Sequence, residues 1–374
     1  MPDTPILTDS AAVSLFAAEL HRETVIAVDL EADSMHCYQE KVCLLQFSTP
    51  ARTVLVDPLA AGDLSSLRPV FADPGVRKLF HAADYDIRCL FRDFALEVRG
   101  LFDTMIASQF LGEEKVGLAD VLGKSFGVVL DKQYQRADWA QRPLSAEMIR
   151  YAAEDTRHLH RLAVLLEEKL AAKGRLAWVA EEFALLEQAR FAENGGNPFF
   201  LRVKGAGLLD RRQLAVLEAL LQWRDAEARH HDRPPFKVLG TKPLLELSRT
   251  APQHPQGLEG IEGLPSRLVE RYGRQLLQAI ENGLAVPAEQ LPRFPRGERR
   301  ERDPAADARL ARLKEWRRQK AAALEMDPGI VINNALLEEV ARRVPVDEPA
   351  LAEVPGLKNW QRRELGAELL ATIG

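Results

Sequence analysis

The chain has 374 residues, enough for two or three domains with ample core, and its 46% apolar and 28% charged composition is that of an ordinary soluble protein. No stretch approaches the roughly 20 apolar residues of a membrane span. The first twenty residues lack the basic start of a secretory signal, and Cys37, Cys43 and Cys89 have neither zinc-ligand nor CxxC spacing, so three half-buried thiols in a reducing cytoplasm are expected. The net charge of −5 hides an asymmetry: residues 1–195 hold 21 Lys and Arg against 30 Asp and Glu, residues 196–374 hold 29 against 25. An acidic front half suits metal binding and a basic back half suits a polyanion.

Residues 24–30, 42–49 and 52–58 are β-branched, apolar and closely spaced, and read as three consecutive strands, antiparallel to one another. A helix over 64–71, a strand over 76–81, a helix over 85–94, a strand over 98–102 and a helix over 104–111 follow. Residues 145–173 are alanine-rich and strongly helical, and 178–192 continue the pattern. Strands followed by alternating helices and strands imply an α/β sandwich with a mixed sheet. The breakers Glu193-Asn194-Gly195-Gly196-Asn197-Pro198 mark a boundary. Residues 208–282 are helical with short loops. Residues 286–306 carry four prolines and the run Arg299-Arg300-Glu301-Arg302, a solvated linker. From Arg309 the pattern is helical to the end. The two helical blocks each open on a Trp-bearing helix and close on a short helix after a glycine, as a diverged duplication would. The expected domains are 1–195, 205–285, a linker over 286–305, and 306–374.

Four carboxylates in three separated segments dominate the front half. Asp29 and Glu31 share one side of their strand, because side chains two apart share a face. Asp86 lies near the start of a helix, and Tyr151 and Asp155 stack one helical turn apart. Four convergent carboxylates cannot stay ionised together without cations. A pair of hard divalent ions, Mg²⁺ or Mn²⁺, neutralises them most cheaply, and two such ions about 3.5–4 Å apart cleave phosphodiesters.

At Asp29-Leu30-Glu31, His81-Ala82-Ala83-Asp84-Tyr85-Asp86 and Tyr151-Ala152-Ala153-Glu154-Asp155 the sequence resembles the DEDD 3′→5′ exonucleases, tyrosine subtype, and within them the ribonuclease D family. Leu30 replaces the usual Thr, and the Tyr-Asp pair aligns Asp86, not Asp84, with the catalytic position. The resemblance implies a ribonuclease-H-like exonuclease domain. It also implies two metals held by Asp29, Glu31, Asp86 and Asp155, with Asp29 bridging both and Tyr151 orienting the attacking water. Its substrate would be RNA with a free 3′ end, chiefly tRNA precursors, shortened to nucleoside 5′-monophosphates; the sequence leaves the oligomeric state open, with a monomer favoured. A DNA exonuclease uses the same carboxylates, and a catalytically silent RNA-binding protein could carry the departure at Leu30.

The first helical block resembles an HRDC domain through Arg224, Pro234-Pro235-Phe236-Lys237-Val238-Leu239, Leu258-x-x-Ile261-x-Gly263 and Tyr272-Gly273-x-x-Leu276-Leu277-x-x-Ile280. The second matches more weakly, through Pro328-Gly329-Ile330-Val331-Ile332 and Val354-Pro355-Gly356. Two all-α HRDC-like domains are therefore expected behind the catalytic one, binding nucleic acid or protein. Lys237, Lys242, Arg267, Arg271 and Arg274 form the expected phosphate-binding surface of the first block. Other polar residues are set aside. Asp84 is excluded by register. Asp103 suits a helix cap better than ligation. His158 follows Asp155 where the histidine-type enzymes place a His before the Asp, and reads as an exposed helix residue. His81 packs or hydrogen-bonds near the substrate without catalysing. His230 and His231 are adjacent on a helix and face different ways.

Overall fold

A computed structural model describes residues 4–192, 196–295 and 303–374. It forms two compact units. One comprises Met1–Ala32, Val42–Phe191 and Glu301–Gly374; the other comprises Asp33–Lys41 and Ala192–Arg300.

The first unit is built on a six-stranded mixed sheet in the order β1-β4-β3-β2-β5-β6. The chain runs through β1 (Ile6–Leu7), α1 (Ser10–Leu20), β2 (Val25–Ala32), β3 (Val42–Ser48) and β4 (Thr53–Val56), then α2 (Pro58–Ala61), α3 (Arg68–Ala72), β5 (Arg77–Phe80), α4 (Asp84–Phe94) and β6 (Leu101–Asp103). Strands β2, β3 and β4 are antiparallel neighbours, as their spacing in the sequence predicts; β1, β5 and β6 join in parallel. Helices α5 (Thr104–Phe110), α6 (Leu118–Phe126), α7 (Ala146–Arg157), α8 (Leu159–Ala172) and α9 (Leu176–Leu186) complete the catalytic fold. Ile26, Val28 and Leu30 of β2 and Leu45 and Phe47 of β3 point into one core with Phe16 of α1. The opposite face, with Leu44 of β3, packs against Met148 and Ala152 of α7.

Several elements differ from expectation. Strand β1 and helix α1 precede the first strand that the sequence predicts. Helix α1 starts at Asp9, whose carboxylate accepts from the Ala12 N–H at 2.8 Å. The strand expected over 98–102 pairs only from Leu101; Val98 is buried but outside the ladder. The helical stretch 145–173 breaks at His158 (φ −95°, ψ −6°) into α7 and α8, and His158 is half-buried against Glu154 rather than exposed. The three cysteines are buried rather than half-buried, and unbridged.

The second helical block, α14 (Pro304–Leu324), α15 (Pro328–Val331), α16 (Asn334–Arg343), α17 (Glu348–Ala352) and α18 (Asn359–Ile373), shares its hydrophobic core with the sheet. Trp360 is completely buried. It stacks on Trp178 of α9 at 5.0 Å and 15°, and meets Phe110 of α5 edge-on at 5.4 Å. Glu182 accepts from the Trp360 indole N–H at 2.8 Å and from the Lys358 ammonium, while Glu181 caps the backbone N–H groups of Asn359 and Trp360. The buried Arg175 guanidinium donates to the carbonyls of Phe110 and Leu324. Gly112 has φ +84°, and a Cβ there would lie 1.8 Å from the Glu325 carbonyl oxygen, so only glycine permits this approach.

The other unit contains α10 (Arg211–His230), α11 (Pro235–Val238), α12 (Thr241–Thr250) and α13 (Ser266–Ala285) around Leu217, Leu220, Leu247, Leu276 and Ile280. A capping box of Asp210 and Gln213 starts α10. The segment 33–41 packs here: the Tyr38 hydroxyl donates to Asp225 at 2.7 Å, and Arg229 lies over its ring. Arg224 donates to the carbonyl of Leu239, the residue closing α11; Arg317 donates to that of Ile332, which closes α15. The same bond at equivalent places supports the duplication read from the sequence. The Arg299–Arg302 run and residues 193–195 of the expected boundary lie outside the described residues.

Candidate active site

Strand β2 presents Asp29 and Glu31 on the face that α7 covers, and α7 brings Tyr151 and Asp155 over it. Helix α7 is fixed at its start by Ser145, whose hydroxyl accepts from the Met148 N–H at 3.2 Å, and at its end by the Thr156–Ser48 hydroxyl contact of 2.7 Å to β3. Asp86 enters from the first turn of α4, where the helix dipole favours a negative charge. The turn before α4 is held by Asp103. Its carboxylate accepts from the N–H groups of Ala82 and Ala83 at 3.1 and 2.7 Å, and from those of Met105 and Ile106 at the start of α5. Asp103 is thus a cap that also ties the Asp86 helix to the sheet.

Asp86 is buried, while Asp29, Glu31 and Asp155 are half-buried. Desolvation is the largest influence on each and pushes all four carboxyls above the usual range. Asp29 adds to the rise at Glu31, Asp86 and Asp155, and Asp86 and Asp155 add to that at Glu31. Among the described residues no Lys or Arg stands among the causes that act on them. The structure therefore brings together all four carboxylates expected from the sequence. Tyr151 is half-buried, with Tyr134 edge-on at 5.8 Å and Trp139 at 6.0 Å. Desolvation, then the charges of Asp155, Glu31 and Asp29, push its hydroxyl upward, so it is a neutral phenol with a proton available to donate. A cleft of about 670 Å³ opens beside Tyr151 and Asp155, with Tyr134, Arg150 and Arg157 on its walls.

The residues set aside are engaged elsewhere. Asp84 is exposed and grips Arg88 through both carboxylate oxygens at 2.9 Å. The Thr104 hydroxyl donates to the Phe80 carbonyl, so His81 donates to it through Nδ1 at 2.9 Å; burial lowers the His81 pKa and keeps the ring neutral. His231 pairs with Glu227. Gln46 of β3, which the sequence reading did not single out, stands directly across from Asp29.

On the first helical block, Arg267, Arg271 and Arg274 are exposed at spacings of four and three along α13, so they share a face. Arg271 lies over the Tyr272 ring at 4.9 Å. Lys237 is exposed at the end of α11, but Lys242 is paired with Glu262 and brings little net charge to that surface.

The four carboxylates supply oxygen donors of the kind that hard divalent cations take, and their raised pKa values are those of a donor set without its charge partner. Among the described residues, no three Asp, Glu, His or Cys side chains stand in an arrangement that could already hold an ion. Unscreened carboxylates repel, and divalent cations would offset that repulsion.

A family model described as 3′-5′ exonuclease matches residues 5–171, and an HRDC domain model matches twice, at 213–280 and 306–373. The chain is 32% identical over 373 residues to the ribonuclease D of Gluconacetobacter diazotrophicus, covering 99% of this chain and 93% of that protein. The solved catalytic core of RRP6 from Trypanosoma brucei is 32% identical, with 75% of this chain and 79% of that one covered and a TM-score of 0.65. Escherichia coli RNase D, an exoribonuclease involved in structured RNA processing, shares the fold across 99% of this chain and 98% of its own, with 23% identity and a TM-score of 0.76. Among the described residues no helix is long and apolar enough to cross a membrane. With near full-length similarity to a ribonuclease D and a matching 3′-5′ exonuclease model, the chain belongs to the ribonuclease D family and is a 3′→5′ exoribonuclease.

Proposed function

We propose that the cleft between β2, α4 and α7 removes nucleotides from the 3′ ends of stable RNA, chiefly tRNA precursors, with Asp29, Glu31, Asp86 and Asp155 holding two Mg²⁺ or Mn²⁺ ions. Four neighbouring carboxylates, all pushed upward with no cationic side chain among the causes, carry this reading. Bound ions supply an activated water and offset charge on the leaving 3′ oxygen. The Tyr151 phenol donates a hydrogen bond that holds the attacking water in line. As a neutral group it positions the water rather than taking its proton. Asp103 keeps Asp86 aimed inward by fixing the turn that starts α4. Domain limits of 1–195, 205–285 and 306–374 fit this division of labour, with Lys237 and the α13 arginines binding phosphates. The buried, unbridged cysteines suit a reducing cytoplasm.

The test is degradation of matched 3′-OH RNA and DNA oligonucleotides in Mg²⁺, Mn²⁺ and EDTA. Expected are stepwise shortening of RNA with release of nucleoside 5′-monophosphates, weaker action on DNA, and none in EDTA. Asp86→Asn should abolish turnover while Asp84→Asn retains it. Activity of Asp86→Asn in Mg²⁺ would refute the ligand assignment.

A further inference from the structure

Gln46 occupies the middle of β3, in register opposite Asp29. Directly opposed residues of an antiparallel pair lie on the same face, so Gln46 shares its face with Asp29 and Glu31. Its neighbours on that face are Leu44, which packs with Met148 and Ala152, and Ser48, whose hydroxyl touches Thr156 at 2.7 Å. Gln46 is therefore enclosed between the sheet and the helix that carries Tyr151 and Asp155. It is 0% exposed, and neither its side-chain oxygen nor its side-chain nitrogen has a hydrogen-bond partner. A buried, unpartnered amide weakens a fold, and a Met or Leu would serve an apolar strand better. Local departures of this kind are characteristic of functional sites.

We propose that Gln46 is a positioning residue for the metal centre: its amide N–H donates to the Asp29 carboxylate once a cation engages it, fixing which oxygens face the ions. This rests on the reading of Asp29 as a ligand. An amide suits the role because it donates without adding charge to a site that must take up two cations. A Lys would repel them and a second carboxylate would add another titrating group.

The experiment compares wild type, Gln46→Met and Asp29→Asn as full-length proteins. Mn²⁺ binding is measured by calorimetric titration, and thermal midpoints are measured in EDTA. For Gln46→Met the midpoint in EDTA should be unchanged or higher, while Mn²⁺ affinity falls about 10–100-fold, the range for loss of a group that orients a ligand. Gln46→Leu should show the same split. Asp29→Asn should lose most Mn²⁺ binding. A Gln46→Met protein with wild-type Mn²⁺ affinity, or one whose midpoint in EDTA falls, would overturn the proposal. If Asp29→Asn binds Mn²⁺ normally, the ligand reading itself is wrong.

Discussion

Trp360→Ala tests whether the last helical block is part of the catalytic unit. The indole is completely buried, stacked on Trp178 and edge-on to Phe110, with its N–H on Glu182. Truncating a core Trp to Ala costs about 3–5 kcal/mol, and loss of two ring contacts favours the upper half of that range. Glu182 keeps the Lys358 ammonium, so no uncompensated buried charge is added. At roughly 2–4 °C per kcal/mol for a unit of this size, the midpoint should fall by roughly 8–20 °C. Calorimetry should show one lowered transition for the sheet and the second helical block together. Trp178→Ala should lower it similarly, and the double variant should lose less than the sum, because the two rings share one contact. A separate early transition with the catalytic domain unmoved would refute the reasoning. The same geometry predicts that cutting the chain near Gly195 exposes Trp178 and Phe110 and destabilises the exonuclease domain.

Tyr151→Phe should lower kcat by about 10²–10⁴-fold with little change in KM, measured where chemistry limits the rate; an unchanged kcat would make the ring purely structural. Burial pushes Asp57 up, but the Arg142 guanidinium and the Leu59 and Ala60 N–H groups outweigh it and hold the carboxyl below its usual range. Its stabilisation is therefore present above the unfolded value of about 3.9 and lost as pH falls through the lower folded value. Arg142→Met should cost about 1 kcal/mol at pH 7, the upper end for a pair with an exposed partner, with the deficit shrinking below about pH 4; a deficit independent of pH would sink the assignment. Replacing Arg267, Arg271 and Arg274 together with Gln should flatten the slope of log affinity against log salt for single-stranded RNA by about 2, at about 0.7 per lost phosphate contact. An unchanged slope would move the RNA surface elsewhere.

The three antiparallel strands were legible because β-branched runs separated by short turns have few alternatives. The acidic cleft was legible because Asp29 with Glu31, and Tyr151 with Asp155, follow the periods of strand and helix. Asp86 over Asp84 depended on register, and the structure leaves Asp84 paired with Arg88 in the open. Other features were hidden for physical reasons. Glu181 and Glu182 carry no sequence signal, because their partners, Lys358 to Trp360, lie far away in the chain. Lys242 read as a free cation because Glu262 comes beside it only through folding. Gln46 was a single polar letter in an apolar strand, and only the register with Asp29 gave it meaning.

The paired bonds from Arg224 to Leu239 and from Arg317 to Ile332 describe one module present twice under unequal constraint. The later copy has merged its core with the sheet, so a change at Trp360 must be answered at Trp178, Phe110 or Glu182. The earlier copy keeps a core of its own, and its outer residues can drift without disturbing the catalytic fold. Across relatives, the later copy should vary in step with α5 and α9, and the earlier copy should change its surface fastest. The surface of the earlier copy can then be remodelled by itself, leaving the cutting machinery as it is.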